Sequence, residues 1–379
     1  MSQSKLGISN NCFSISKLLI RLYRASCGVI FMSSAIASAL ARNTIRSMSP
    51  VVTTELSLQC SDGIQLAAQS WSKGLSNDNP KQNDSSSKHR ILCLHGWMDN
   101  CRSFARLAPA LIESLPDTTE LVALDFPGHG WSSHKSMDGP PTLLAECAYY
   151  IAEAVEKLQW NHESTPFTVV GHSMGAAVGC VYAAAFPEQV EKLILLDGAG
   201  PLSRNPRDIA KHVRSHVNRR ASANQSAKGP RVYPDLATAV ETRCMTAKNF
   251  PGNQWLSTEA ATEMVIRGSR TMEGGGIQFR HDPRLQWPSL QYFTLEQTEA
   301  IYQDIQCPTA LFTAHDGWPF DEEEMKRTAD LLQPSAMESF AGSHHFHADP
   351  ETASDVIRKV LEFLQQRPQE ELENLLDQS

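Results

Sequence analysis

The chain has 379 residues, of which 41% are hydrophobic, and its formal net charge at pH 7 is −8. This length suffices for a large hydrophobic core, and one α/β domain that carries an insertion is ordinary at this size. The acidic balance argues against a nucleic-acid-binding protein, which needs clustered basic residues. The nine cysteines are scattered and odd in number, which predicts reduced, mostly buried thiols without a disulfide framework.

The first 48 residues differ in composition from the rest of the chain. No acidic residue precedes Glu55, and serine and basic residues are frequent. Between residues 15 and 24, apolar side chains fall on one helical face and basic side chains on the opposite one. An acid-free amphipathic leader of this kind predicts a targeting signal for an organelle, a mitochondrion or a plastid.

Other locations are compatible with the same segment. Translation from Met32 or Met48 would leave the protein in the cytoplasm, and a peroxisome is a further alternative. A secretory signal with an apolar region from Cys27 to Ala41 is a rival interpretation, although serines dilute that region. No stretch is long and apolar enough to cross a bilayer, so we expect no integral membrane span.

Beyond the leader (1–48), strand patterns and helical patterns alternate, with one interruption. We expect an α/β core in two parts, 49–198 and 305–366, with a helical cap at 199–304 inserted between them and a polar tail at 367–379. A polar tract from Lys73 to Lys88 predicts a flexible extension of the first hairpin.

The most informative motif is Gly171-His172-Ser173-Met174-Gly175, which lies between a β-branched run and a run of small residues. A serine between strand and helix, with glycines two residues to either side, forms a strained turn that pushes its hydroxyl out of the sheet. We therefore expect Ser173 to be a nucleophile. The alternative without chemistry is a glycine cluster at the start of a helix.

An upstream turn offers hydrogen-bond donors for the same site. The buried strand Arg90–Leu94 leads into a turn that contains Gly96, and glycine lets such a loop direct its backbone N–H groups toward the site. We expect the amides of Trp97 and Met174 to bind the oxyanion of a tetrahedral intermediate.

A general base and its acid should follow the nucleophile along the chain. Asp316 comes after a predicted strand at 307–313, and His344 comes after another at 336–340. Each lies beyond the carboxyl end of a strand, where open α/β sheets bind ligands. We expect His344 to take the proton of Ser173, and Asp316 to orient the imidazole.

Both choices have rivals in the sequence. Asp197 ends the strand before the cap and could supply the acid in place of Asp316. His345 and His347 lie beside His344, and their alternative is a packing or surface role. The i, i+3 spacing of His344 and His347 could suit a metal, but no carboxylate-rich partner supports it, so we expect no metal.

Aromatic residues of the predicted cap could line an acyl pocket. The candidates are Phe250 and Trp255 in the cap, with Met98 and Trp318 in the core. For each aromatic residue of the cap, filling the cap's own small core is an equally good interpretation.

These motifs together resemble the α/β-hydrolase superfamily, and within it the serine hydrolase-like proteins. The resemblance covers about Val52 to Gln365 and rests on the motifs at 95–100, 125–130, 171–175 and 196–201, with 280–285 and 316–318 indicating the subfamily. It implies a mostly parallel central sheet flanked by helices, with a helical cap inserted before the acid strand. It also disfavours those relatives that carry an aspartate in place of the serine at position 173.

The predicted activity is hydrolysis of small or lipophilic carboxylic esters through a Ser-His-Asp triad and an acyl-enzyme. Hydrolysis of a C–C bond or a lactone is an alternative, and a slow or non-catalytic small-molecule receptor is another. The glycine-rich loop after Leu124 lacks the phosphate-binding motifs, so we expect no cofactor. The expected partner is a small-molecule ester, not a nucleic acid; the sequence does not specify an oligomeric state.

Overall fold

The computed structural model describes residues 50–74, 89–137, 139, 143–160, 165–225, 230–290 and 292–366. The predicted leader (1–48), nearly all of the polar extension (75–88) and the tail (367–379) lie outside these residues, so the targeting prediction stays an expectation.

The described residues form eleven strands and nine α-helices. The strands are β1 (Val51–Gln59), β2 (Gln65–Lys73), β3 (Arg90–Leu94), β4 (Glu120–Leu124), β5 (Phe167–His172), β6 (Val190–Leu196), β7 (Val232–Tyr233), β8 (Ser269–Thr271), β9 (Ile277–Phe279), β10 (Thr309–Asp316) and β11 (Ala336–Ser343). The helices are α1 (Leu107–Ser114), α2 (Cys147–Lys157), α3 (Met174–Ala185), α4 (Ile209–Gln225), α5 (Leu236–Ala247), α6 (Thr258–Gly268), α7 (Leu295–Asp304), α8 (Glu322–Leu332) and α9 (Ala353–Gln365).

Eight of the strands form the central sheet, in the order β1-β2-β4-β3-β5-β6-β10-β11. The pairs β1–β2 and β2–β4 are antiparallel, and every other neighbouring pair is parallel. The carboxyl ends of β3, β5, β6, β10 and β11 therefore meet at one edge of the sheet, which is where the candidate site residues follow their strands.

Hydrophobic clusters cover both faces of this sheet. Leu92 and Leu94 of β3 lie in a cluster with α2, α3 and α8, whereas Ile91 and Cys93 lie in a cluster with α1 and α9. Successive side chains of a strand point to opposite faces, so β3 is buried on both, as parallel strands between helices usually are. The prediction of an α/β fold with a mostly parallel central sheet flanked by helices is confirmed.

The described residues of the interval 199–304 add no strand to the central sheet. Most of them form the cap, in which α4, α5 and α6 accompany a small sheet of order β7-β9-β8, and α5 and α6 share a separate hydrophobic cluster. The last helix of this interval, α7, packs differently: Tyr302 is buried in the core cluster that contains α3. Within the described residues, no helix is both long enough and apolar enough to cross a membrane.

Candidate active site

Ser173 occupies a sharp turn between β5 and α3. Its φ is 51° and its ψ is −114°, a combination that a residue with a Cβ adopts only at a conformational cost. The neighbouring strand holds the turn in place, because the Ser173 N–H donates to the Leu196 carbonyl oxygen at 3.0 Å. The fold therefore maintains this serine in a strained conformation at the carboxyl edge of the sheet.

Close backbone contacts require the two glycines of this motif. A Cβ at Gly171 would overlap the Gly175 carbonyl oxygen and the backbone of Ala176. A Cβ at Gly175 would overlap the Leu94 carbonyl oxygen. Helix α3 therefore begins directly against the end of β3, beside the turn that contains Trp97.

His344 follows β11 and forms a hydrogen bond with a buried aspartate. Its Nδ1–H donates to Oδ2 of Asp197 at 2.5 Å. Because this bond occupies Nδ1, the other ring nitrogen, Nε2, is the one available for proton transfer. His344 and Ser173 line the same cavity.

Three donors converge on the Asp197 carboxylate, which lies immediately after β6. Oδ1 accepts the Ala314 N–H at 2.9 Å, and Oδ2 accepts the Trp318 N–H at 2.9 Å in addition to the His344 imidazole. Asp197 is 1% exposed, and its φ is 45°. The surrounding backbone thus fixes the carboxylate in one position against His344.

The expected pairing of Asp316 with His344 is wrong. Asp316 is the last residue of β10 and is exposed, whereas Asp197 at the end of the neighbouring strand holds the imidazole. The turn around Asp316 serves Asp197 instead, because it donates two N–H groups to that carboxylate. A Cβ at Gly317 would overlap the same carboxylate. The sequence contains a signal for Asp197, which also follows a buried strand and precedes a glycine.

The two amides predicted for the oxyanion hole lie on either side of the junction between β3 and α3. Met174 is the first residue of α3, so its N–H has no acceptor within the helix. Trp97 lies in the turn that follows β3, and α3 begins against the end of that strand. Both residues line the cavity that contains Ser173, and their role as donors stays a prediction.

Core and cap together line a partly open cavity of about 690 Å³. Ser173, Asp197 and His344 are among the residues that line it. Most of the remaining lining is apolar and includes Leu143, Leu144, Met174, Leu202, Phe250, Leu285, Trp287, Leu290, Tyr292, Phe293, Trp318 and Phe320. The polar groups of the site therefore open onto an apolar space large enough for a lipophilic acyl chain.

The four predicted pocket residues divide between two environments. Phe250 and Trp318 line the large cavity. Met98 lines a much smaller cavity beside it, and its φ of 64° reverses the backbone at that turn. Trp255 does not line the large cavity either; its backbone N–H donates to Ser343 Oγ at 2.8 Å. The expectation that Met98 and Trp255 line the acyl pocket is not met.

A second buried aspartate–histidine pair lies beside the first. His345 Nε2–H donates to Asp99 Oδ2 at 2.9 Å, and Arg243 of cap helix α5 donates to Asp99 Oδ1 at 2.6 Å. Burial alone would raise the pKa of Asp99, but His345 and Arg243 hold it well below its usual range. The sequence gives no sign of these contacts, because Asp99, Arg243 and His345 lie in segments far apart along the chain.

His172, the residue before the nucleophile, connects the two pairs. Its Nε2–H donates to the backbone carbonyl oxygen of His344 at 2.8 Å, and its Nδ1 lies 3.6 Å from Asp99 Oδ2. Burial, followed by the neighbouring imidazoles, lowers the pKa of His172 well below its usual value. The ring is therefore neutral, with its proton on Nε2 and a lone pair on Nδ1.

The motif at 280–285 connects the cap to the loop after β4. Arg284 is 2% exposed. Its guanidinium donates to the Asp282 carboxylate and to the carbonyl oxygens of Lys135, Ser136 and Gly139. The Asp282 N–H also donates to the Gly128 carbonyl oxygen at 2.8 Å. These contacts hold the wall of the cavity in place.

Comparisons with known proteins identify the family of this chain. The sequence model of the α/β hydrolase fold family matches residues 89–350. A serine hydrolase-like protein of Dictyostelium discoideum is 31% identical over 333 residues, which is 82% of this chain and 81% of that protein. Serine hydrolase-like protein 2 of Homo sapiens is 30% identical, over 72% of this chain and 86% of its own.

Among solved structures, a hypothetical protein from Pseudomonas aeruginosa PAO1 is similar to this chain. It superposes with a TM-score of 0.68 at 30% identity, covering 83% of this chain and 99% of that one. The family match, the two relatives and the shared fold give one conclusion. The chain belongs to the α/β-hydrolase fold family and is similar to its serine hydrolase-like members.

Proposed function

We propose that the protein hydrolyses carboxylic esters, with Ser173 as nucleophile, His344 as general base and Asp197 as the acid that orients His344. The observation that carries the proposal is the His344 Nδ1–Asp197 bond in a cavity that also exposes the strained Ser173. That bond leaves His344 Nε2 as the proton acceptor and keeps the ring in one tautomer.

The proposed reaction has two stages. The Ser173 Oγ attacks the ester carbonyl carbon while His344 Nε2 takes its proton, and the carbonyl oxygen becomes an oxyanion beside the amides of Trp97 and Met174. Collapse of this intermediate transfers the proton from His344 to the departing alkoxide and leaves an acyl-enzyme. A water molecule, deprotonated by the same nitrogen, then releases the carboxylic acid and regenerates Ser173.

The apolar lining supports a lipophilic acyl group as the part of the substrate that fills the cavity. Phe250, Trp287 and Phe293 offer aromatic surface, and the two arginines in the lining are already paired with Asp99 and Asp282. Burying each methylene of a chain here is favourable by about 0.8 kcal/mol. We therefore expect kcat/KM to rise with chain length until the cavity is filled.

A series of chromogenic acyl esters from two to sixteen carbons tests the proposal. Wild-type protein should hydrolyse them with an optimum at medium or long chains, and Ser173→Ala should lose at least about 10³-fold in kcat/KM. Activity within about tenfold of wild type in Ser173→Ala would show that this serine is not the nucleophile. Binding of the esters without turnover would favour a receptor.

A further inference from the structure

Three potential metal ligands meet behind the candidate triad. One ligand atom from each of Asp99, His172 and His345 lies within 4.8 Å of the other two, and all three residues are buried. They come from the turn after β3, the end of β5 and the loop after β11. Two imidazoles and one carboxylate make a ligand set that suits Zn²⁺ and related transition-metal ions.

His172 Nδ1 carries a lone pair that accepts no hydrogen bond from the described residues. His172 is fully buried, its Nε2–H donates to the His344 carbonyl oxygen, and its Nδ1 has no hydrogen-bond partner among the residues that the structure describes. The atom it faces, Asp99 Oδ2, is another acceptor at 3.6 Å. A tetrahedral Zn²⁺ with bonds of about 2.0–2.1 Å separates two of its ligand atoms by about 3.3 Å. A cation between these two acceptors would satisfy both with little movement.

His345 can join such a site without losing a proton to solvent. It donates Nε2–H to Asp99, and its buried Nδ1 has no partner in the described part of the chain. Transfer of the proton from Nε2 to Nδ1 frees Nε2 for a metal and leaves the ring neutral. Asp99 and His345 also line the large cavity, which gives an ion a path to the cluster.

We propose that Asp99, His172 and His345 form a binding site for a divalent transition-metal ion, and that occupation of this site inhibits the protein. Inhibition follows from the charge of the ion. The ring centres of His345 and His344 lie 5.3 Å apart, and His172 Nε2–H donates to the backbone of His344. A divalent cation at this position would oppose the positive charge that His344 gains when it takes the proton of Ser173.

Arg243 gives the proposal a distinctive prediction. Its guanidinium is bound to Asp99 Oδ1, so it competes with a metal ion for the same carboxylate and repels it electrostatically. If the cluster is only structural, removal of this arginine lowers the stability of the protein and does not increase its affinity for a metal ion. A metal site should bind its ion more tightly.

Direct binding is measured by equilibrium dialysis of Zn²⁺ against the full chain carrying Ser173→Ala, so that the result does not depend on catalysis. We expect one ion per chain, with affinity at least about tenfold weaker in His345→Gln and Asp99→Asn. Arg243→Met should bind at least about threefold more tightly. His216→Gln, a buried histidine that lines the same cavity elsewhere, is the matched control and should bind as the parent does.

Activity gives the second readout, and this arm rests on the proposed esterase function. Zn²⁺ should lower kcat with little change in KM, and EDTA should restore it. Because Asp99→Asn and His345→Gln are checked for folding by circular dichroism, a misfolded variant is recognised, and Arg243→Met keeps all three ligands. Zn²⁺ affinity that is unchanged in His345→Gln and Arg243→Met, or the absence of saturable binding, would overturn the proposal. An inactive protein that still binds Zn²⁺ as described would overturn only the proposed function.

Discussion

Two buried aspartate–histidine pairs stand side by side at the carboxyl edge of the sheet, and they differ in the nitrogen they use. In the His344–Asp197 pair the bond is made by Nδ1. In the His345–Asp99 pair it is made by Nε2, and the buried Nδ1 has no partner within the described ranges. Only the first arrangement leaves Nε2, the outer nitrogen of the ring, for a substrate.

The two carboxylates also differ in the groups that surround them. Asp197 receives two backbone N–H groups, and no lysine or arginine of the described residues forms an ion pair with it. Asp99 is shared with Arg243 of the cap and lies close to His172. Residue type alone therefore does not distinguish a proton-transfer pair from a structural one; the bonded nitrogen and the second partner of the carboxylate do.

The largest expected effect separates the two aspartates that could orient His344. Asp197→Asn should lower kcat by about 10³-fold or more, because an amide at this position no longer selects the required imidazole tautomer. Asp316→Asn, the matched control at the end of β10, should change kcat by less than about threefold. Steady-state kinetics on one ester decide between them, and the reverse ranking would return the role to Asp316.

The second prediction tests the other pair through stability. Asp99→Asn removes the negative charge that pairs with the mostly buried Arg243, and should lower the free energy of unfolding by about 3 kcal/mol. Its kcat/KM should fall by less than about tenfold, far less than for Asp197→Asn. Urea unfolding measures the stability, with Glu362→Gln, in an exposed ion pair with Arg358, as the control. A loss of activity as large as that of Asp197→Asn would erase the distinction between the pairs.

The third and smallest expected effect concerns His95, a buried histidine whose two ring nitrogens are both hydrogen-bonded. His95 Nδ1–H donates to the Gly96 carbonyl oxygen, and Nε2 accepts the Phe126 N–H. Burial is the main cause that lowers its pKa from 6.5 to about 4. Since the unfolded chain binds this proton more readily, the stabilisation is complete above pH 6.5 and is lost as the pH falls toward 4.

The corresponding measurement compares urea unfolding at several pH values between 7.5 and 4.5. Within the window from 6.5 toward 4, one such histidine contributes a slope of up to about 1.4 kcal/mol per pH unit. His95→Gln should show a shallower fall in stability, equivalent to about one proton fewer taken up on unfolding. Identical slopes for the two proteins would show that His95 does not titrate in this way.

The features that the sequence predicted well are those with strong local signals. The runs that form β3, β5 and β6 are apolar and bounded by glycine turns, and parallel strands buried on both faces have this pattern. The turn at Ser173 could be identified because close backbone contacts within a few residues require glycine at positions 171 and 175. Local chemistry and tertiary structure agree at these places.

The predictions that were wrong depended on contacts between distant segments. Asp197 and Asp316 both follow buried strands, and only the fold shows that the turn around Gly317 donates to Asp197 instead of supplying the acid. The Arg243–Asp99 bond joins residues 144 positions apart. Neither propensity nor periodicity contains information on such pairings.

The central claim, that Ser173 is activated by His344, is tested most directly by covalent labelling with a fluorophosphonate. Intact-protein mass spectrometry should show one adduct per wild-type chain, and peptide mapping should place it on Ser173. Ser173→Ala should show no adduct, and Asp197→Asn should be labelled at least about 10²-fold more slowly than wild type. An adduct on another residue, or labelling of Ser173→Ala at the wild-type rate, would contradict the account.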